Sequence, residues 1–106
     1  LTERWIEAAT AKMLSYRVIG MQAAGQIPNS EASIAKMFST ELSQRIAGTA
    51  IKMLGTAGQL NGGENAPLAG RLGAGYVASV SATIAGGTSE IQRNIIATRG
   101  LGLPRA

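Results

Sequence analysis

The sequence predicts an all-α fold, an antiparallel bundle of two long helices and two shorter ones. Three observations predict it. Apolar residues recur at three- and four-residue spacing through long windows, the signature of amphipathic helices. No segment alternates apolar and polar residues with the period of two that a half-buried strand requires. Clusters of Gly, Pro and Asn at 25–29, 55–67, 85–87 and 100–104 divide the chain into four helical stretches, and no stretch repeats another.

The first helix is expected over Leu1 to Ala24. Ile6, Ala9, Met13, Tyr16 and Gly20 form one face, widened by Leu14, Val18 and Met21, with Glu3, Arg4, Glu7 and Lys12 mainly on the wetter side. Gly25 and Pro28 stop it. Asn29 or Ser30 is expected to cap a second helix ending near Leu54, because Ile34, Phe38, Leu42, Ile46 and Ala50 recur every fourth residue. Ala47, Ile51 and Leu54 widen that stripe, while Lys36, Ser39, Ser43 and Gln44 are its polar complement. Gly55 to Pro67 reads as a loop, with Asn61-Gly62-Gly63 as the turn. A third helix is expected over Leu68 to Ile84. Each interior glycine there costs roughly 1 kcal/mol against alanine, which close packing through the small residues offsets. The fourth runs from Ser89 to about Arg99, ended by Gly100, Gly102 and Pro104.

With 106 residues the chain suffices for one domain, and an apolar content of 45% is that of a globular protein. One Trp, one Phe and two Tyr leave the core to Ala, Ile, Leu, Val and Met. The absence of cysteine and histidine excludes disulfides, zinc-finger sites and any histidine-based triad within this chain, and no metal site is expected. A net charge of +4 raises the question of nucleic acid, but the ten Lys and Arg residues are dispersed, without a basic cluster or interleaved aromatics. A basic face meeting phosphate groups is the better use of that charge. No apolar run approaches membrane-spanning length, and no signal-peptide pattern is present. A cytoplasmic location is expected. The start at Leu1, directly in a helical pattern, suggests a fragment of a longer protein or a processed product.

The most informative stretch is Ala85-Gly86-Gly87-Thr88-Ser89-Glu90-Ile91-Gln92-Arg93-Asn94-Ile95-Ile96-Ala97. Two glycines make a side-chain-free turn. Thr88 or Ser89 can cap the following helix, and Gln92 stands three residues after Ser89, as a capping box requires. The free N–H groups of such a helix start suit an anion or the polar edge of a cofactor.

This stretch closely resembles the C-terminal signature of acyl-CoA dehydrogenases, the flavoenzymes that oxidise acyl-CoA thioesters. The resemblance extends over nearly the whole chain, through Glu31-Ala32-Ser33-Ile34-Ala35-Lys36, Met53-Leu54-Gly55-Thr56-Ala57-Gly58 and Gly100-Leu101-Gly102-Leu103-Pro104-Arg105. It implies that residues 1–106 are a partial C-terminal helical domain, with the first bundle helix, an N-terminal helical domain and a middle β-domain lying outside. It implies FAD as cofactor, an acyl-CoA substrate, the remaining domains of the same enzyme and electron-transfer flavoprotein as partners, and a homo- or heterotetramer. Nucleic acid and membrane insertion are not expected.

Three positions carry over to FAD under the resemblance. Thr88 matches a residue that hydrogen-bonds the cofactor, Glu90 one near its ribose and pyrophosphate, and Gly55 a glycine approached by the ADP part of a neighbouring subunit's FAD. Plain helix capping and dipole complementarity account equally for Thr88 and Glu90. Lys52 stands where many relatives carry a glutamine facing the adenine side, and Val80 where many carry a basic or polar residue. Gly86 is the weightiest departure. Relatives often carry a glutamate there as the base that removes the substrate's α-proton, and glycine has no side chain for that role. Its backbone N–H remains, and in the family that N–H helps hold the thioester carbonyl. Some relatives carry the base on an earlier helix, and others pair a subunit lacking it with one that has it. A non-catalytic helper subunit is therefore the alternative to a catalytic one. Glu3, Glu7, Glu31, Glu41 and Glu64 read as surface or cap residues, and the loop from Gly55 to Gly63 matches neither a P-loop nor a dinucleotide fingerprint.

Overall fold

The computed structural model describes residues 1–105 and shows the four expected helices: α1 (Thr2–Ala23), α2 (Ser30–Leu54), α3 (Arg71–Ala82) and α4 (Ser89–Ile95). A 3₁₀ turn over Gly55–Gln59 follows α2, and α4 runs on into a wider turn over Ile96–Gly100, where the Leu101 N–H reaches back to the Ile96 carbonyl at 3.0 Å. The described residues contain no strand, and no helix among them is long and apolar enough to cross a membrane.

Helix α2 is the axis of the molecule, packed against α1, α3 and α4. Ion pairs at both ends set the direction of α1. Glu7 meets Arg45 at 2.9 Å near one end, and Arg17 meets Glu31 at 3.8 Å near the other, so the two helices run antiparallel. The charged contacts continue to α4, where Arg93 reaches Glu41 at 2.6 Å. The stripe expected on α2 faces inward in part: Leu42 is buried at 4% exposure and Ile34 and Phe38 are half-buried, while Ile46 and Leu54 stay 43% and 39% exposed. Its polar complement is largely covered too, because three helices surround α2; Lys36, Ser39 and Gln44 are half-buried.

Three local expectations are corrected. The face of α1 centred on Ile6, Ala9, Met13, Tyr16 and Gly20 does not pack on the bundle: Ile6, Met13 and Tyr16 remain 56%, 65% and 53% exposed. The packed stripe is Arg4, Glu7, Ala11, Leu14, Val18 and Met21. At 100° per residue these two stripes lie on opposite sides of the helix, and the salt bridges to Arg45 and Glu31 select the second. At the start of α2, neither Asn29 nor Ser30 caps a backbone N–H. Asn29 has helical rather than extended backbone angles, its Oδ1 accepts from Arg99 Nη1 at 3.0 Å, and Ser30 donates to Glu31. The third helix begins at Arg71 rather than Leu68, because Leu68 and Ala69 hold left-handed angles (φ 51° and 54°) that a right-handed helix excludes. The Asn61 backbone lies where a side chain on Gly70 would stand, which fixes this close approach of loop and helix.

Candidate functional site

Between α3 and α4 the chain reverses through Thr83–Gly87, closed by the Ser89 N–H donating to the Thr83 carbonyl at 3.1 Å. Gly86 and Gly87 sit side by side at φ 67° and 96°, angles that side-chain-bearing residues rarely adopt. Thr88 then takes extended angles and caps α4, its Oγ1 accepting from the Ile91 N–H at 3.3 Å.

Two side chains grip the turn from inside the bundle. Gln92, buried at 6% exposure, donates from Nε2 to the Gly86 carbonyl at 3.1 Å. A Cβ on Gly87 would stand 2.7 Å from that same nitrogen, so only glycine leaves room for the grip. Lys36 of α2 donates from Nζ to the Gly87 carbonyl at 2.6 Å and to the Ala82 carbonyl at 3.4 Å. Because these peptides are trans, an N–H points opposite to the carbonyl of its own plane. The inward Gly86 and Gly87 carbonyls therefore turn the N–H groups of Gly87 and Thr88 away from α2. Among the described residues, the N–H groups of Gly86, Gly87 and Thr88 have no acceptor. Successive N–H groups in such a turn form a concavity for an anion or a carbonyl oxygen. A Cβ on Gly86 would meet nothing within 4 Å, so this position opens on free space.

The structure thus brings Gly86, Thr88 and Glu90 together. Glu90 is exposed, and its own backbone N–H, then the Thr88 hydroxyl beside it, hold its carboxyl below the ordinary value of 4.5, with Arg93 adding to the effect. It is a charged group in the first turn of α4, where the helix dipole favours it. Gly55 lies elsewhere. It ends α2 nineteen residues beyond Lys36, about 28 Å along the axis at 1.5 Å per residue. One chain therefore does not place Gly55 beside Thr88. The capping box is corrected: Thr88, not Ser89, caps α4, and Gln92 braces the turn instead of closing a box. Lys52 lines a cleft with Arg4, Arg45 and Tyr76, and Val80 is 41% exposed on α3. No cluster of metal-ligating side chains occurs among the described residues.

Sequence reasoning missed Lys36 and Gln92 as parts of the turn. Lys36 read as a solvated member of the polar face of α2, since only the tertiary approach of the turn, 46 to 51 residues later, gives it partners. Gln92 offered a signal, a lone amide six residues beyond Gly86, but capping explained it as well.

The family model of the acyl-CoA dehydrogenase C-terminal domain matches residues 1–101. The chain is 37% identical to the protein named acyl-CoA dehydrogenase FadE26 of Mycobacterium tuberculosis (strain ATCC 25618 / H37Rv), over 94% of this chain and 26% of that relative. It superimposes on the crystal structure of the ChsE4-ChsE5 complex from Mycobacterium tuberculosis with a TM-score of 0.84 at 37% identity, covering 95% of this chain and 26% of that one. The Tcur3481-Tcur3483 steroid ACAD shares the fold, with a TM-score of 0.91 at 24% identity over 99% of this chain and 28% of its own. The chain thus spans about a quarter of the length of these relatives.

Proposed function

The chain belongs to the acyl-CoA dehydrogenase family, matching its C-terminal domain, and on that premise we propose that it is the C-terminal helical part of an FAD-dependent enzyme that dehydrogenates an acyl-CoA thioester at its α,β-bond. One observation carries the reading: the double-glycine turn, its carbonyls gripped from within, presents three consecutive unpartnered N–H groups beside a threonine hydroxyl. That donor set fits a polar cofactor edge and a thioester carbonyl.

In this reading the Thr88 hydroxyl holds FAD while capping α4, and Glu90 lies toward its ribose and pyrophosphate. When bound, FAD supplies the two-electron oxidant. The N–H groups of the turn hold the thioester oxygen, and as the α-proton leaves they stabilise the negative charge growing there. Gly86 supplies no base, so the base comes from another segment of the enzyme or from a partner subunit. Gly55, remote from Thr88, meets the FAD of a neighbouring subunit. Residues 1–106 form one partial domain of a longer cytoplasmic protein, for which electron-transfer flavoprotein would be the electron-accepting partner. The two-component complexes among the structural relatives support assembly with a second type of subunit.

A second reading rests on Gly86 itself: a subunit without the base supports a partner's active site and catalyses nothing alone. Gly86→Glu in the full-length protein, assembled with any natural partner, separates the two. The parent is assayed for FAD content and for oxidation of short-chain, long-chain and steroid-side-chain acyl-CoA with an artificial electron acceptor. If the base stands elsewhere in the same site, a second carboxylate raises the pKa of one of the pair, and activity falls or its pH optimum moves upward. In a helper subunit the new carboxylate creates activity where none existed. An unchanged rate and pH profile means that position 86 does not face the substrate. A full-length parent that takes up no FAD overturns both readings.

A further inference from the structure

We propose that Lys36 is the positioning residue of the double-glycine turn, holding it in place and polarising its Thr88 N–H toward the thioester oxygen that the turn receives. The proposal rests on the reading of that turn given above. Four observations lead to it. Lys36 comes from α2, at the centre of the bundle, and ties the turn to the most enclosed helix of the molecule. Its bond to the Gly87 carbonyl, at 2.6 Å, is short and charge-assisted. Its second bond reaches Ala82, the last residue of α3, where the open carbonyl end of a helix favours a cation. The six ion pairs among the described residues involve Arg4, Arg17, Arg45 and Arg93 as cations, and none involves Lys36. Glu41, a little over one turn along α2, is occupied by Arg93 and Arg45. The half-buried ammonium is therefore held by carbonyl oxygens and not neutralised by a carboxylate in contact.

Two consequences follow. The bond fixes the plane of the Gly87–Thr88 peptide, with its N–H directed outward. It also draws electron density toward the carbonyl oxygen, which strengthens the N–H at the other end of the same peptide as a donor, as hydrogen bonds in chains polarise one another. An oxygen that gains negative charge on the outer side benefits from both the aimed donor and the positive charge behind it. Architecture alone does not demand this lysine: the Ser89–Thr83 backbone bond closes the turn, and the Arg93–Glu41 pair ties α4 to α2.

The test uses the full-length protein, with its natural partner where it has one, and acetoacetyl-CoA as probe. The enolate of this compound is seen by its absorbance, so its apparent pKa when bound reports how well the site stabilises a thioester-derived oxyanion, without turnover and without a protein base. The parent is expected to lower that pKa relative to the free probe. Lys36→Met, which keeps the aliphatic stem, is expected to raise it by about one unit toward the free value, about a tenfold loss of enolate binding, with the far-ultraviolet dichroism unchanged. Lys36→Arg, which restores the charge, is expected to recover most of the effect. If Lys36→Met does not fold, Lys36→Gln, neutral but still a donor, takes its place with the same expectation. A folded neutral variant with the parent's enolate pKa overturns the role of Lys36 alone. So does an arginine variant that folds without recovery, or neutral variants that both fail to fold, since Lys36 is then a structural residue. A parent that does not bind acetoacetyl-CoA overturns the reading of the turn and this proposal with it.

Discussion

Gly86 and Gly87 are neighbours with the same sign of φ, yet an added methyl group meets different surroundings at each. On Gly86 it points into open space, so alanine there carries only the left-handed backbone penalty, roughly 1–2 kcal/mol. On Gly87 it carries that penalty and also collides with the Gln92 amide, and overpacking of this kind adds about 1–3 kcal/mol. Gly87→Ala is therefore expected to lower the melting temperature of the full-length protein more than Gly86→Ala. Equal shifts would show that Gln92 gives way and that its grip on the Gly86 carbonyl is loose. Thr88 has a testable double duty. Its hydroxyl caps α4, and loss of such a cap costs about 0.5–2 kcal/mol of stability. If it also bonds FAD, Thr88→Ala loses a further 0.5–1.5 kcal/mol or so of cofactor affinity. The expected outcome is a variant that sheds flavin on dilution while melting only a little below the parent. A variant that melts several degrees lower but keeps its full flavin makes Thr88 a cap and nothing more.

At the scale of the element, two helix starts respond to pH. Glu31 and Glu90 stand in the first turns of α2 and α4, and each carboxyl is held below its ordinary value of 4.5, first by its own backbone N–H and then by a neighbouring hydroxyl, Ser30 or Thr88. A lowered folded-state pKa means that the folded chain holds its proton less tightly than the unfolded one. The stabilisation is complete above the unfolded value and disappears as the pH falls through the lowered folded value. Glu90→Gln is therefore expected to melt slightly below the parent at neutral pH, where the stabilisation is complete, and to converge on it as the pH falls through the lowered folded value, so that the acid limb is flatter. A profile identical to the parent's throughout would mean that the carboxylate adds nothing to the start of α4. The same elements explain what was legible beforehand. Helix number and type, and the ends of α1 and α2, were readable from three-four spacing and glycine punctuation, because both are local properties. The packed face of α1 was not, since Ile6, Met13 and Tyr16 on one side rival Leu14, Val18 and Met21 on the other, and only contacts with α2, the Glu7–Arg45 pair among them, distinguish the two. The start of α3 misled because Leu68 and Ala69 are ordinary helix formers held left-handed by their loop. Thr88 was legible as one of two possible caps, whereas Lys36 enters the site only through contacts from distant parts of the chain.

For the whole molecule, surface is in excess. A chain of 10.9 kDa folded as a typical monomer exposes roughly 5,600 Å². This one exposes 7177 Å², and its radius of gyration is 16.9 Å against about 13 Å for a compact domain of this length. Its buried apolar residues are few, Leu42 and Ala66 among those described, while the outer face of α1 leaves Trp5, Ile6, Met13, Tyr16 and Ile19 more than half exposed. An apolar surface of that kind is unfavourable in water and is covered when a second surface is offered. The 106 residues produced alone are therefore expected to be helical by circular dichroism and to self-associate by light scattering. Ile6→Glu with Met13→Glu places charges on that face without touching the stripe that packs on α2, so the doubly substituted chain is expected to keep its helicity and scatter as a smaller species. If instead the unsubstituted chain is a helical monomer at high concentration, its exposed face needs no cover and the account of the excess surface is wrong. Neither form is expected to oxidise any acyl-CoA, because Gly86 has no side chain to serve as the base of the proposed reaction. Turnover by the isolated chain with an artificial electron acceptor would place the whole of the chemistry in these helices, and the proposed dependence on a base from outside them would have to be abandoned.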